Sequence, residues 1–397
     1  MLSETSYLSR NEFNMIDKLI LFFYSLYFIL NPIYLWSSGL PQISDLSIIF
    51  SIIIYAFYKK FTFKITEENK PILLVGLLFV VWIIFVNLIW IFRLQTIDNF
   101  LFSTFFYIYN YFLLFFVIAL VNQYKNILFK VTYISVIISV IIQFLIYIIS
   151  GGGDGSRQVG FLNNPNQLGY YSLLILAFLI FFSSKLDIKF YWFILATVSS
   201  IILILASLSK AATIAMLGLL IFYLFVKNKN KKLKEKFVVY LALILALGLS
   251  MYKVTDFFQE NQLMNSVQER VDSIGEDADD NLEGRGYDRL YDHPEYWISG
   301  AGEGAYYRFS KSNFELHSTL GNLLISYGIV GLSLFVLMIL FVLRNDRFRS
   351  AYIVLFLMVY GLTHNGIRNS LLWILLALIA SYSIFQFQKN YKNNNLK

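Results

Sequence analysis

Apolar runs of roughly 20 residues recur along the whole length of this chain. At 1.5 Å of rise per residue such a run, coiled as a helix, spans the ~30 Å hydrocarbon core of a bilayer. The runs place twelve spans, at 18–36, 44–58, 71–92, 100–121, 127–150, 168–184, 190–208, 211–226, 237–252, 318–343, 350–364 and 370–387. The fold class expected is an all-α polytopic membrane protein of about twelve transmembrane helices. Residues 1–397 form a single integral membrane domain, with one large external loop, 253–317, between the ninth and tenth spans. Only 14% of the residues are charged, where a soluble domain carries about a quarter. The polar N-terminus has no small-residue cleavage site before a short apolar core, so no removable signal peptide is expected.

The polar connections alternate in charge. With both termini in the cytoplasm, the inside segments hold 22 of the 32 Lys and Arg residues, and KNKNKKLKEK (227–236) is the densest of them. This is the positive-inside bias. It accounts for the net charge of +7 without nucleic acid as a partner. The kind of cation differs between the two faces. Inside there are four arginines against 18 lysines; outside there are seven, Arg93, Arg157, Arg270, Arg285, Arg289, Arg308 and Arg368, against three lysines. Arginine's planar fork grips phosphate oxygens in pairs. The histidines, His293, His317 and His364, also fall outside. For Arg270 and Arg308, ion pairing with the long loop's 14 acidic residues is the better reading. The chain has no cysteine and no HxxxH or HxxE spacing, so no metal site or cofactor is expected. No span carries a carboxylate near its centre, which disfavours an ion-coupled carrier.

Four external stretches can carry chemistry. In GGGDGSRQVGFLNNPNQLG (151–169) Arg157 follows a glycine run, and Asn163, Asn164 and Asn166 can cap the next helix or hydrogen-bond a sugar. Ser207–Leu208–Ser209–Lys210 sets a lysine between two spans, where its charge needs a partner or must snorkel. In the long loop, 254–274 reads as an amphipathic helix, and a second helix is expected from about Leu282. Arg285 and Arg289 would then share one helix face. His317 is placed in the first turn of the tenth span, where the helix N-terminus favours a neutral imidazole able to accept a proton. His364–Asn365–Gly366–Ile367–Arg368 closes the same face; Arg368 reads equally as a phosphate contact or an interface anchor.

At these residues the chain resembles the O-antigen polymerase and O-antigen ligase superfamily, bacterial membrane glycosyltransferases of the C-type fold. The resemblance runs from about Gly151 to the end and includes the span count. Members carry an Arg ahead of Gly–Phe–x–Asn–Pro–Asn; here Arg157 precedes Gly160–Phe161–Leu162–Asn163–Asn164–Pro165–Asn166. Their Ser–Arg at a span start reads Ser209–Lys210, a departure. An Arg, ten residues, then Gly fits Arg289 to Gly300. A His, nine residues, then Glu–Gly fits His317 to Gly328, with Tyr327 in place of the Glu. The resemblance implies metal-independent, inverting glycan transfer from undecaprenyl pyrophosphate at the outer face of the bacterial cytoplasmic (inner) membrane. Arg157, Lys210, Arg285 and Arg289 would bind the pyrophosphate, and His317 would orient or deprotonate the acceptor hydroxyl. Asn163, Asn166, Tyr327, His364 and Arg368 are further candidates for substrate contact. The implied partners are a lipid-linked glycan donor and acceptor, membrane lipid and a chain-length regulator. A polymerase of lipid-linked repeat units leads. A ligase onto lipid A-core is the close rival, and a flippase of lipid-linked sugars is the alternative of another class.

Overall fold

The computed structural model describes residues 13–37, 41–150, 157–186, 188–225, 284–309 and 314–394. Among them are thirteen α-helices and no strand. The described chain opens with α1 (Met15–Leu30), α2 (Ile43–Tyr58), α3 (Lys70–Leu94), α4 (Phe100–Tyr124) and α5 (Asn126–Ile149). Next come α6 (Pro165–Ser183), α7 (Phe190–Ala206) and α8 (Lys210–Phe225). Two short helices, α9 (Asp288–Asp292) and α10 (Tyr296–Ser299), lie in the long loop. The chain then continues through α11 (Thr319–Asn345), α12 (Ala351–Tyr360) and α13 (Ser370–Asn394). Five helical stretches, Glu67–Leu94, Phe100–Tyr124, Asn126–Ile149, Pro165–Ser183 and Thr319–Asn345, are long and apolar enough to cross a bilayer. The protein is membrane-embedded and α-helical. The expected ninth span (237–252) and the amphipathic stretch (254–274) lie outside the described residues.

Local chemistry sets the helix starts. Asn14 accepts from the Asp17 amide at 2.8 Å to open α1, and Asn164 does the same for Gln167 at 2.9 Å, with Pro165 in the first helical position of α6. The first expected span ends early. It stops at Leu30, because Asn31 and Pro32 turn the chain and Tyr34 N donates to the Phe161 carbonyl (3.0 Å). The eleventh also shortens, to Ala351–Tyr360, before Gly361.

Two helices form the centre. From Leu168 to Ser183 every residue of α6 is buried, as is every residue of α13 from Leu371 to Tyr382. Around them α5, α7, α8 and α12 pack on α6, and α4 and α11 pack on α13. The peripheral helices turn Phe22, Phe50, Phe57, Phe85 and Phe222 outward, as lipid-facing surfaces do.

Helix α11 is broken at Gly328, where φ is +66° and ψ −175°. The carbonyls released there are taken by the loop ahead of the helix. Ala301 N donates to Ile325 O and Gly302 N to Ser326 O, both at 2.8 Å. Trp82 Nε1 reaches the Tyr327 carbonyl at 2.7 Å. The end of the long loop thus runs in among the helices, and irregular backbone is tolerated there because it is enclosed by protein. At the opposite end of the bundle, Lys185 and Asp346 pair at 2.9 Å with both side chains nearly inaccessible, which ties the α6–α7 connection to the α11–α12 connection.

Candidate functional site

One cavity of ≈ 270 Å³ collects residues from five stretches of chain at one end of the bundle. Arg157 and Asn166 come from the entry to α6, and Leu208 to Ala211 from the α7–α8 turn. Gly284 and Arg285 come from the long loop, Phe314 and His317 from the approach to α11, and His364 from the turn after α12. The wall carries three cationic side chains and, among the described residues, no carboxylate.

Each cation is aimed by contacts of its own. Arg157 donates from Nη2 to Asn166 Oδ1 at 2.7 Å and from Nε to the Ser207 carbonyl at 3.3 Å. Asn166 is therefore both a wall residue and the group that orients Arg157. Lys210 opens α8, whose first amides point toward the cavity end as every helix N-terminus presents them. Beside it Ser209 Oγ is buried without a hydrogen-bond partner. The turn is held against α6 at Gly169, where a Cβ would come within 2.7 Å of Ser207 Oγ. Arg285 donates to the Thr363 carbonyl at 2.6 Å, and its own carbonyl accepts from His317 N at 2.9 Å.

The two imidazoles differ. His317 is exposed and stacked on Phe314, with ring centres 5.3 Å apart and planes 19° apart. It stands one residue ahead of the helix cap, not in the first turn. Ser318 takes the capping position, accepting from Gly321 N at 3.1 Å, so α11 begins at Thr319. His364 continues a stack of Tyr170 and Tyr360 (4.3 Å, then 4.8 Å to the imidazole), and its Nδ1 lies 3.1 Å from Thr363 Oγ1. Burial, then the nearby Arg285, His317 and Arg157, pull its pKa down to about 3. Between about pH 3 and the unfolded value near 6.5 the unfolded chain therefore binds a proton that the native state refuses. That makes stability rise with pH across this window. Thermal unfolding in detergent should give a lower Tm at pH 4.5 than at pH 7. His364→Asn should flatten that slope; an unchanged slope would count against this account.

Arg289 goes elsewhere. It is 2% exposed, its guanidinium sits 4.5 Å from the Phe309 ring centre, and it donates to the Phe314 carbonyl. The shared helix face expected for Arg285 and Arg289 does not form. Gly286 takes a φ of +75°, so the helix starts only at Asp288 and Arg285 lies before it. Arg289 thus supports Phe314 rather than lining the cavity. Asn163 is not on the wall either; its Nδ2 donates to the Trp36 carbonyl at 3.2 Å. Tyr327 is wholly buried, its hydroxyl donating to Glu303 at 2.7 Å. Arg368 is engaged by two carboxylates, Glu303 and Glu315. His293 pairs with Glu295 at 3.1 Å and packs on Phe309. Arg308 donates to the carbonyls of Ala301, Gly304 and Ala305, shaping the loop.

Two residues escaped the sequence reading. Phe314 carries the His317 stack, and nothing in its surroundings marks it. Glu303 is a fully buried carboxylate inside the bundle, delivered by the loop and not by a span. Gly302 and Gly304 beside it in SGAGEG were its signal, because they permit backbone to pass this close to α3 and α4, where a Cβ at either would come within 2.7 Å of Phe100. No protein-family model matches the chain, and no curated protein sequence matches it.

Proposed function

We propose that the chain is a lipid-linked-sugar-dependent glycosyltransferase. It joins undecaprenyl-pyrophosphate-linked repeat units into O-antigen, capsular or exopolysaccharide by inverting, metal-independent transfer. The observation that carries this reading is the cavity that gathers Arg157, Lys210 and Arg285 around His317 and His364. Three cations in a small recess suit a dianionic or trianionic pyrophosphate. Such a leaving group needs positive charge more than it needs a proton.

The acceptor hydroxyl oxygen attacks the anomeric carbon as the bond from that carbon to the phosphate oxygen breaks. The electron pair leaves on the lipid pyrophosphate, where Arg157, Lys210 and Arg285 stabilise it, assisted by the α8 N-terminus and the Ser209 hydroxyl. The hydroxyl proton passes to His317. His364, neutral, hydrogen-bonds substrate without adding charge. In this reading the chain makes twelve spans in the bacterial inner membrane with both termini in the cytoplasm and the cavity outside. The alternating distribution of lysine-rich connections along the sequence supports that orientation.

Polysaccharide from a strain lacking the protein tests the reading. Single repeat units on the final acceptor are expected. Full-length polymer retained on the carrier would mean a ligase, and purified protein that moves lipid-linked sugar across vesicles without lengthening it would mean a flippase. Arg285→Ala should raise the donor KM by about 10- to 100-fold, since a hydrogen bond to a charged group contributes ~1.5–3 kcal/mol. A donor KM that stays put would remove Arg285 from the pyrophosphate site.

A further inference from the structure

Away from the cavity wall, the fold collects two carboxylates around one guanidinium from three separate segments. Arg368, in the α12–α13 turn, holds Glu315 Oε2 at 2.8 Å through Nη1 and donates to Glu303 through Nη2. Glu303 also accepts from Asn322 Nδ2 and the Tyr327 hydroxyl, each at 2.7 Å. Its amide donates to Asn87 Oδ1 at 3.0 Å, and its carbonyl accepts from Ser103 Oγ at 2.9 Å. Glu315 accepts a further bond from Asn365 Nδ2. One cluster thereby joins α3, α4, the loop ahead of α11, α11 itself and the α12–α13 turn.

Its position along the chain gives it a role. Glu315 lies two residues before His317, and Asn365 directly follows His364. The two histidines belong to segments that meet at backbone level close to the α11 cap, where Thr319 N donates to Gly361 O at 2.6 Å and Gly366 N to Thr319 Oγ1 at 3.0 Å. The stretch that carries His317 ahead of that cap is fastened by Glu315. Burial holds the Glu315 carboxyl above the usual carboxylate range, and Arg368 opposes that rise. A clamp of this kind needs its cation.

We propose that Arg368, with Glu303 and Glu315, is a positioning cluster that sets the His317 imidazole against the His364 turn across the cavity. It governs the rate of transfer and leaves donor binding to the wall cations. The rate clause rests on the transferase reading; the clamping of the two segments does not.

The test uses the full chain purified from membranes. Arg368→Gln alone strands the buried Glu303 and the half-buried Glu315 and is expected to lower the yield. The triple variant Glu303→Gln, Glu315→Gln, Arg368→Gln removes every charge, isosterically at the two glutamates and with a shorter side chain at 368, and should accumulate better than Arg368→Gln alone. It should bind inorganic pyrophosphate within about twofold of wild type and elongate lipid-linked units from the host's membranes at least about tenfold more slowly. Its amides at 314–318 and 361–366 should exchange faster. Arg368→Lys keeps the charge but loses the fork, so it should fall between. If the triple variant does not accumulate, Arg368→Lys carries the same comparison. Wild-type elongation, or lost pyrophosphate binding, overturns the proposal; the second result would make Arg368 a donor contact. If the wild-type protein never lengthens a glycan while the variant still loosens those amides, the transferase reading fails and the clamp stands.

Discussion

His317→Ala is expected to abolish chain extension while the protein accumulates at its normal level. A positioned general base contributes about 10²- to 10⁴-fold to rate, enough to remove visible polymer from a gel. The side chain is exposed and rests on Phe314 rather than inside the core. The bond from its amide to the Arg285 carbonyl survives the substitution. His364 cannot take over, because a group with a pKa of about 3 accepts protons poorly at neutral pH. The measurement is complementation of a deletion strain, with immunoblotted membranes to fix the amount of protein. Polymer above about a tenth of wild type would end the assignment of His317 as base.

The second large effect belongs to stability. Gly328→Ala is expected to prevent the protein from accumulating. At φ +66° and ψ −175° the backbone is in a region only glycine occupies readily. A Cβ there would meet the Ile298 carbonyl oxygen at 2.2 Å and its carbon at 2.7 Å. That backbone has little room to yield, because Gly300 N is bonded to Tyr296 O at 2.8 Å and Ala301 N to Ile325 O at 2.8 Å. Strain and overpacking together cost roughly 2–6 kcal/mol, against a total stability of about 5–15 kcal/mol. Gly218→Ala is the control. Its Cβ would meet the Phe356 ring at 2.1 Å, but a ring can rotate away, and a small loss of Tm is expected. Equal Tm values for Gly328→Ala and wild type would show that the break is not held as described.

Much of the architecture was written in the apolar runs, because in a bilayer length and hydropathy decide where a helix lies. The convergence of Arg157, Lys210, Arg285, His317 and His364 was also legible, since alternating connections send their ends to one face. What stayed hidden depends on contacts between distant segments. Arg289 reads like Arg285 by type and spacing, yet one left-handed residue, Gly286, sends it under Phe309 and Phe314. Glu303 sits between two glycines in the long loop, outside every apolar run. Only the break at Gly328 and the partners Asn322, Tyr327 and Arg368 make room for it inside. Arg368 read equally as a phosphate contact or an interface anchor, because its two carboxylates lie 53 and 65 residues back along the chain.

The packed centre of α6 and α13 bears on the lipid carrier of the proposed transferase in its own way. Side chains fill both helices from Leu168 to Ser183 and from Leu371 to Tyr382, so a polyprenyl tail has no axial route beneath the cavity along them. For the proposed lipid-linked substrate, the tail is then expected to leave sideways along the outer walls. In the proposed transferase, gripping only the head of the carrier would leave no ruler for the tail. Carriers with shorter prenyl chains should then serve almost as well as the natural one.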